Sequence, residues 1–274
     1  MRSYFGLIIL SLIVVAMSYG ATVAQVRQGG FDRELFDRFV SMRTGDGEPV
    51  FWYFTGTVKG YPSGDLLAIM EGVDLGVLAR KPSEPDLAYQ LSRKIYIYRD
   101  PVTNEVIEEI DGKPVSAVQY PYQLMSYKLE GDRLVAMVEQ GREPNLQSIG
   151  PVTDISARWL GDGVAQYSSP VFLNYTLPGR GRVQSFENYD FFIQPDSIDR
   201  ATRFQLSWVG YSAAPPFNEG KPTIKHMVGW RTDSFDDLPQ SIKSYVSDKA
   251  PLWMAPPMNF ADIEALQAPQ ESTR

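Results

Sequence analysis

The sequence has no cysteine and only one histidine, His226, among its 274 residues. Without thiols, the chain has no disulfide bonds, thiolate metal ligands or cysteine nucleophiles. A zinc or iron site built on several imidazoles is excluded as well, so any metal site would use oxygen ligands. The acidic residues Asp233, Asp236 and Asp237 immediately precede a predicted helix, where carboxylates complement the helix dipole. We therefore predict that the protein holds no metal and uses no cofactor.

An excess of positive charge is also missing, because 26 Lys and Arg residues stand against 33 Asp and Glu residues, for a formal net charge of −7. Binding to phosphate backbones needs concentrated lysine and arginine, and the sequence has neither a basic run nor a basic stripe with interleaved aromatics. No G-x-x-x-x-G-K-[ST] loop occurs, and Gly179 and Gly181 lack the third glycine of a dinucleotide-binding fingerprint. We predict no nucleic-acid partner and no stable contact with anionic lipid headgroups.

One long apolar run is present, and it lies at the N-terminus. Arg2 provides a short positive segment, residues 5–17 are mostly apolar, and small residues follow, ending at Ala24. This order is typical of a secretory signal peptide, which we predict over residues 1–24. An uncleaved membrane anchor is the alternative, since residues 4–26 approach the ~20 residues that span a bilayer. Either way, we expect the folded part to be periplasmic or secreted.

Apolar and aromatic residues are abundant, at 43% and 12% of the chain, enough for a sizeable buried core. From Val50 onwards, short runs of aromatic and branched residues alternate with turn residues at intervals of roughly ten. These runs are predicted as strands over residues 51–58, 66–78, 88–99, 105–110, 115–129, 135–139, 155–160, 164–173, 183–193, 203–211 and 223–231. Because no helices intervene, they indicate a mainly β fold, either an antiparallel β-barrel or a strongly curved β-sandwich of about eleven strands.

A short amphipathic helix is predicted on each side of the strands. On the N-terminal side, four apolar residues recur at helical spacing and predict a helix that packs against the sheet. They are Phe31, Leu35, Phe36 and Phe39. On the C-terminal side, Pro239 suits a first helical turn. The residues that then share one helix face are Ile242, Tyr245 and Val246.

The chain contains no internal repeat and no linker rich in proline, glycine or serine. We therefore predict a single mainly β domain over residues 25–259. The remainder, residues 260–274, is rich in alanine, glutamine and glutamate and is predicted to be a flexible tail.

The segment 93–115 predicts an antiparallel β-hairpin. Its first arm is amphipathic because side chains alternate along a strand, which places Lys94, Tyr96 and Tyr98 on one face. Turn residues follow, and residues 103–110 are predicted to return as the second arm.

The turn of this hairpin also carries a resemblance. Residues 98–106 read Y-x-D-P-x-T-x-E-V, which resembles the signature of a domain-of-unknown-function family, number eighteen thirty-eight. Further matches lie in downstream segments that contain Trp208, Pro215, Pro216, Phe217, His226, Phe235, Leu238, Pro239, Ala255, Pro256 and Pro257. The resemblance covers residues 33–257 and implies a single domain.

His226 is the main candidate for chemistry. Imidazole is the only side chain in this sequence whose unperturbed pKa suits proton transfer near neutrality. Glu187 is its predicted partner as acid or base, and Tyr98 or Tyr189 is the predicted proton donor. A structural or surface histidine that makes one hydrogen bond is the alternative.

Aromatic residues near these positions predict a pocket lined by rings and a few polar groups. The predicted ligand-binding residues are Arg93, Tyr96, Trp208, Tyr211, Phe217 and Trp230. An arginine that points into such a pocket needs an anionic partner, either a ligand carboxylate or a buried Asp or Glu. Packing of these rings in the core is the alternative.

Two functions are consistent with these residues. The first is a cofactor-independent enzyme with lyase, isomerase or hydrolase chemistry on a small apolar or aromatic compound. The second is a non-catalytic periplasmic binding or carrier protein for such a compound. The first requires His226 within hydrogen-bond reach of another titratable group in a cavity, whereas the second requires only an apolar cavity.

Overall fold

A computed structural model describes residues 32–143, 146–149, 153–161, 163–177, 181–194, 203–213 and 216–267. The predicted signal peptide, or membrane anchor, and the last part of the predicted tail lie outside these residues. Within the described ranges, no helix combines the length and apolar character that crossing a bilayer requires.

Most of the described chain is β-strand, with helices towards its two ends. Helix α1 (Arg33–Thr44) precedes the strands, and helices α2 (Gln240–Lys249) and α3 (Phe260–Gln267) follow them. Short 3-10 helices span Phe217–Gly220, Phe235–Asp237 and Pro251–Met254. The strands are β1 (Val50–Gly60), β2 (Leu66–Ala79), β3 (Leu87–Arg99), β4 (Glu109–Ile110), β5 (Lys113–Pro114), β6 (Val118–Glu130), β7 (Arg133–Glu143), β8 (Leu146–Ile149), β9 (Thr153–Gly161), β10 (Val164–Leu177), β11 (Gly181–Ile193), β12 (Phe204–Ala213) and β13 (Pro222–Thr232).

The main sheet is a closed antiparallel barrel of ten strands. Their order around the barrel is β6-β3-β2-β1-β13-β12-β11-β10-β9-β7, and pairing of β6 with β7 closes the ring. β8 extends the sheet beyond β7, while β4 and β5 form a small separate hairpin. The predicted mainly β fold is confirmed, and of the two predicted architectures the barrel is the correct one.

Burial along β13 illustrates how the sequence specifies the two faces of the barrel. Lys225 and Met227 are buried in the interior, while Ile224, His226 and Val228 are exposed on the outer surface. Successive side chains of a strand project to opposite sides. Once the orientation of one residue is known, the face of each remaining residue in that strand follows.

Helix α1 fills one end of the barrel. Its Phe39 contacts Tyr127, Tyr167 and Phe191, which project inwards from three different strands, with ring centroids 5.2, 5.3 and 6.1 Å away. Phe39 is 1% exposed. The predicted amphipathic helix therefore packs inside the sheet that encloses it and forms part of the main core.

Polar contacts fix both ends of α1. The carboxylate of Asp32 accepts a hydrogen bond from the backbone N–H of Leu35 at 2.8 Å, which satisfies a free donor of the first turn. At the other end, the guanidinium of Arg231 donates to the carbonyl oxygens of Ser41 and Met42 at 2.9 and 3.0 Å. A cation at this end complements the helix dipole, and the contact ties α1 to β13.

The C-terminal segment covers the outer face of β1, β2 and β3. Ile242 and Val246 of α2 belong to one buried cluster with outward side chains of these strands, including Ile95. Ile263 of α3 belongs to a second cluster with Leu91. These three strands are thus covered on both faces, which explains the nearly continuous burial along β2.

The hairpin predicted over residues 93–115 differs from the structure in its second arm. A tight turn does follow β3, where the Asp100 carboxylate accepts hydrogen bonds from the backbone N–H groups of Val102 and Thr103. Beyond the turn, the predicted arm pairs only with the end of β3, through a bridge from Val106 to Arg99 and a hydrogen bond from the N–H of Ile107 to the carbonyl oxygen of Tyr98, and its last two residues form β4. The reason is that β6 pairs with β3 along most of its length.

The predicted flexible tail also differs over its first part. Residues 260–267 form α3, in which Ile263 is 2% exposed. The ring of Phe260 packs against Tyr89 with centroids 5.3 Å apart. Phe260, Ile263 and Leu266 are spaced three residues apart, so they supply an apolar helix face that the composition of this segment conceals.

Candidate functional site

A cavity of about 200 Å³ lies inside the barrel, next to helix α1. Its apolar lining includes one inward side chain from each of five strands. These side chains are Phe54, Met70, Met125, Trp208 and Met227. Since an apolar cavity of ~150 Å³ holds benzene in another protein, this cavity has room for a one-ring compound.

Beside this cavity, the strand pairing of the barrel wall changes among the described residues. Among the described residues, β10 pairs with β9 as far as Ser168, although β10 continues to Leu177. On the other side, β9 pairs with the first part of β7, and β8 pairs with the later part. Val138 on β7 and Ser169 and Val171 on β10 line the cavity in this part of the wall. The cavity therefore reaches the barrel wall at this place.

A buried ion-pair cluster forms part of the cavity wall. Nη2 of Arg43 is 3.3 Å from Oδ2 of Asp74, and Nζ of Lys94 is 3.9 Å from the same oxygen. Asp74 and Lys94 face each other on adjacent strands, and the guanidinium of Arg43 lies 4.9 Å from the Phe191 ring centroid. Asp74 thus has two cationic partners, which is important because an isolated charge is strongly unfavourable in an apolar interior.

Glu187 is the centre of a second polar group in the wall. The hydroxyl of Tyr189 donates to Oε2 of Glu187 at 2.9 Å, and Nε1 of Trp208 donates to the same oxygen at 3.3 Å. Burial, followed by the negative charge of Glu187, raises the pKa of Tyr189 well above its ordinary value, so its hydroxyl stays a donor near neutral pH. Lys94 connects the two polar groups, since its Nζ lies 5.5 Å from the Tyr189 ring centroid.

The structure brings four of the predicted site residues together in the cavity wall. They are Tyr96, Glu187, Tyr189 and Trp208. Two more, Tyr98 and Phe217, are buried inside the barrel beside them, with their ring centroids 4.7 Å apart. Tyr98 packs edge-on against Tyr96 at 5.9 Å. Tyr98 and Phe217 therefore pack beside the residues that line the cavity. Of the two tyrosines predicted as proton donors, Tyr189 is the one that contacts Glu187.

The predicted position of His226 in the pocket is wrong. Because Lys225 and Met227 point inwards, alternation along β13 places the His226 side chain on the exposed outer surface. Glu187 lines the interior, so the barrel wall separates the two residues that were predicted to act on one ligand. An acid/base mechanism that depends on His226 cannot operate in this cavity.

Trp230 and Tyr211 also lie outside the cavity, contrary to prediction. Trp230 shares the outward orientation of His226, and its ring packs against Tyr53 with centroids 4.7 Å apart. Tyr211 is 36% exposed, and its ring contacts Tyr61 at 5.5 Å. Both aromatic side chains therefore lie on the outer surface of the barrel, because side-chain orientation alternates along β12 as it does along β13.

Arg93 has a structural role in place of the predicted ligand contact. Its Nη1 donates to the carbonyl oxygens of Ala255 and Leu252 at 2.6 and 3.2 Å, and its Nε donates to the carbonyl oxygen of Pro121 at 3.0 Å. Its hydrogen-bond partners are thus carbonyl oxygens, and the negative charge of Asp262 lies nearby. The contact holds the C-terminal segment on the outside of the barrel.

Sequence reasoning missed Arg43, Asp74, Gln123 and Gln140, all of which line the cavity. Two of them carry a signal in the sequence. Arg43 follows Phe39 by four residues, which places an arginine on the apolar face of α1. Asp74 is a charged residue within the largely apolar run of β2, where burial requires a partner.

Lys225 is another inward cation that sequence reasoning missed. It is 6% exposed, and its Nζ donates to Oγ of Ser212 at 2.8 Å. Burial lowers the pKa of Lys225, and the negative charge of Glu187 only partly opposes this effect. Since the pKa is lower in the folded than in the unfolded state, the charged lysine destabilises the fold at neutral pH. This penalty disappears as the pH rises through the folded pKa towards the unfolded one.

Lys225→Met is therefore expected to unfold at a higher temperature than the unchanged protein at pH 7, with a smaller difference at pH 10. The matched control is Lys59→Met, because Lys59 lies on the neighbouring strand β1 and is exposed. Its replacement should change the melting temperature little at either pH. Thermal unfolding followed by circular dichroism measures both variants. A lower melting temperature for Lys225→Met than for Lys59→Met at pH 7 contradicts the expected sign.

No protein-family model matches the chain, and no match was found among curated proteins or solved structures. The resemblance to the domain-of-unknown-function family number eighteen thirty-eight therefore stays a prediction. In the part of the chain that the structure describes, no group of three or more His, Asp or Glu side chains is arranged to hold a metal ion.

Proposed function

We propose that the protein binds a small, largely apolar one-ring compound in the barrel cavity and acts as a carrier or binding protein. The observation that carries this proposal is the cavity of about 200 Å³, whose wall combines apolar side chains with a few fixed polar groups. Ligand sites commonly have this composition, in which polar groups orient a molecule that apolar surface binds. The carrier function is preferred to an enzyme because His226 lies on the outer surface.

Native mass spectrometry of the purified protein tests this proposal. We expect one small molecule bound per chain, released on denaturation and identifiable from its mass. Where the purified protein carries no compound, a panel of one-ring compounds should yield at least one that binds with the same stoichiometry. The proposal is wrong if no compound co-purifies and no member of the panel binds.

His226→Gln is expected to leave ligand retention unchanged, because this side chain is outside the cavity. The contrasting variant is Trp208→Leu, which removes a ring from the cavity wall and a hydrogen-bond donor to Glu187. Retention in this variant should fall. The fraction of ligand-bound chains in native mass spectra measures both. Loss of the ligand in His226→Gln with retention in Trp208→Leu would show that the ligand binds on the outer surface near His226 and not in the cavity.

A cofactor-independent enzyme is the second candidate, favoured by the contact between Glu187 and Tyr189 in the cavity. A carboxylate and a protonated phenol held 2.9 Å apart provide a proton acceptor and a proton donor. Incubation of the identified compound with the protein distinguishes the two functions. Recovery of the compound unchanged supports a carrier, whereas a product that forms with the unchanged protein but not with Glu187→Gln identifies an enzyme.

We also propose that the protein acts outside the cytoplasm, on the basis of the apolar N-terminal run. Fractionation of cells that produce the chain tests this location. Protein that lacks residues 1–24 in the periplasmic or culture fraction supports export. Full-length protein in the membrane fraction supports the anchor, and full-length protein in the cytoplasmic fraction contradicts both.

A further inference from the structure

Two buried hydrogen-bond acceptors in the cavity wall have no partner within the described part of the chain. They are Oδ1 of Asp74 and Oε1 of Gln123, in residues that are 7% and 6% exposed. The other polar atoms of these side chains are engaged, since Oδ2 of Asp74 pairs with Arg43 and Lys94, and Nε2 of Gln123 donates to Gln140 at 2.6 Å. Buried acceptors are rarely left without a donor in folded proteins, so a ligand that supplies one would complete this wall.

A cation with spare hydrogen-bonding capacity lies beside these acceptors. Nζ of Lys94 is 3.9 Å from Oδ2 of Asp74, which is an ion-pair distance longer than a hydrogen bond. Its Nζ also lies over the face of the Tyr189 ring. A ligand group between Asp74 and Lys94 would meet a hydrogen-bond acceptor on one side and a hydrogen-bond donor on the other. A hydroxyl group matches this arrangement because it donates one hydrogen bond and accepts others.

The charged residues of the cavity wall are balanced. Among the described lining residues, the cations Arg43 and Lys94 stand against the anions Asp74 and Glu187. Two other inward cations do not belong to this wall: Lys225 is held by Ser212, and Arg231 donates to the carbonyl oxygens at the end of α1. A charged ligand would leave an uncompensated charge in the interior, which is unfavourable, so the balance favours an uncharged one.

We infer that the cavity takes an uncharged one-ring molecule whose polar end is a hydroxyl group, which donates to Asp74 and accepts from Lys94. Phenols and ring-bearing alcohols are the compounds that fit this description. Their apolar parts would pack against lining residues such as Phe54 and Met227. This inference rests on the proposed function of the cavity and adds the chemical class of its ligand.

Four compounds of similar size test the inference: p-cresol, p-xylene, 4-methylanisole and p-toluate. The first both donates and accepts hydrogen bonds, the second does neither, the third only accepts, and the fourth is an anion. We expect p-cresol to bind the unchanged protein at least about tenfold more tightly than each of the others, as a hydrogen bond to a charged group predicts. Isothermal titration calorimetry measures the four dissociation constants.

The outcomes separate this inference from the proposed function. Equal affinity for the four compounds, or tightest binding of p-xylene, 4-methylanisole or p-toluate, overturns the hydroxyl inference while cavity binding stands. Binding of none of the four overturns the inference, and it counts against the proposed function as well.

Asp74→Asn tests the role of the carboxylate with little change in size. We expect the advantage of p-cresol over p-xylene to fall about fivefold or more, because the acceptor loses its charge. The control is Asp154→Asn, at an exposed ion pair with Arg133, which should leave the advantage unchanged. Circular dichroism checks that both variants fold. If Asp74→Asn folds and still prefers p-cresol to p-xylene as strongly as the unchanged protein does, the inference is overturned. If this variant does not fold, the affinities of the unchanged protein for the four compounds decide the question.

Discussion

Replacing Ser169 with tryptophan is expected to abolish ligand binding, with a loss of affinity of roughly a hundredfold or more. Ser169 lines the cavity and lies opposite Tyr189 on the adjacent strand. An indole ring at this position occupies the space that a one-ring ligand needs. Ser169 is only partly buried, so we expect the variant to fold. Calorimetric titration with the compound identified in the native protein, or with p-cresol, measures the loss.

The matched control is the same substitution one residue earlier. Ser168 has the opposite orientation to Ser169, and its Oγ donates to Oδ1 of Asn188 at 3.2 Å. Ser168→Trp should therefore place its ring outside the barrel and keep the affinity within about twofold, since substitutions away from a binding site have small effects. Equal affinity in the two variants would show that the ligand binds elsewhere.

Phe39→Ala is expected to lower the free energy of unfolding by about 3–5 kcal/mol, the usual effect of removing a fully buried aromatic ring. The ring of Phe39 contacts Tyr127, Tyr167 and Phe191, so its removal leaves a void between α1 and three strands. The same change enlarges the cavity, because Phe39 is part of its lining. Urea unfolding followed by tryptophan fluorescence measures the loss of stability.

Phe172→Ala is the control for this stability effect. Phe172 lies on β10 and is 71% exposed, and its ring contacts Phe186 on the outer surface. Its removal should change the free energy of unfolding by no more than about 0.5 kcal/mol. If the two variants lose similar stability, α1 is not an integral part of the barrel core.

The strand β3 shows how much of this fold can be predicted from sequence. Its apolar residues alternate with Lys94 and Tyr96, and the structure confirms the two faces that this alternation predicts. Ile95 and Ile97 are buried under the C-terminal segment, while Lys94 and Tyr96 line the cavity. Alternation of this kind is local, so a single sequence is sufficient to detect it.

The strand β13 shows where such prediction fails. Both of its faces mix polar and apolar residues, with Lys225 and Arg231 inside and Ile224 and Val228 outside. Alternation separates the two sets, but it does not reveal which set faces the interior. The wrong position for His226 follows directly from this ambiguity.

The polar wall of the cavity could not be predicted because its residues are distant in sequence. Arg43 comes from α1, Asp74 from β2 and Glu187 from β11, and they meet only when the barrel closes around the helix. The contacts of Arg93 with the C-terminal segment are equally distant in sequence. Arg93 donates to the carbonyl oxygen of Ala255, which follows it by 162 residues. A local sequence pattern cannot predict a contact between residues so far apart.

Magnetic resonance of the protein with ¹³C-labelled methionine methyl groups tests the central claim, a ligand inside the barrel, most directly. Met70, Met125 and Met227 line the cavity, whereas Met254 and Met258 are 42% and 51% exposed on the outside. With p-cresol bound, we predict nuclear Overhauser contacts from its ring protons to Met70, Met125 and Met227 and none to Met254 and Met258. Contacts confined to Met254 and Met258 would contradict a ligand site in the cavity.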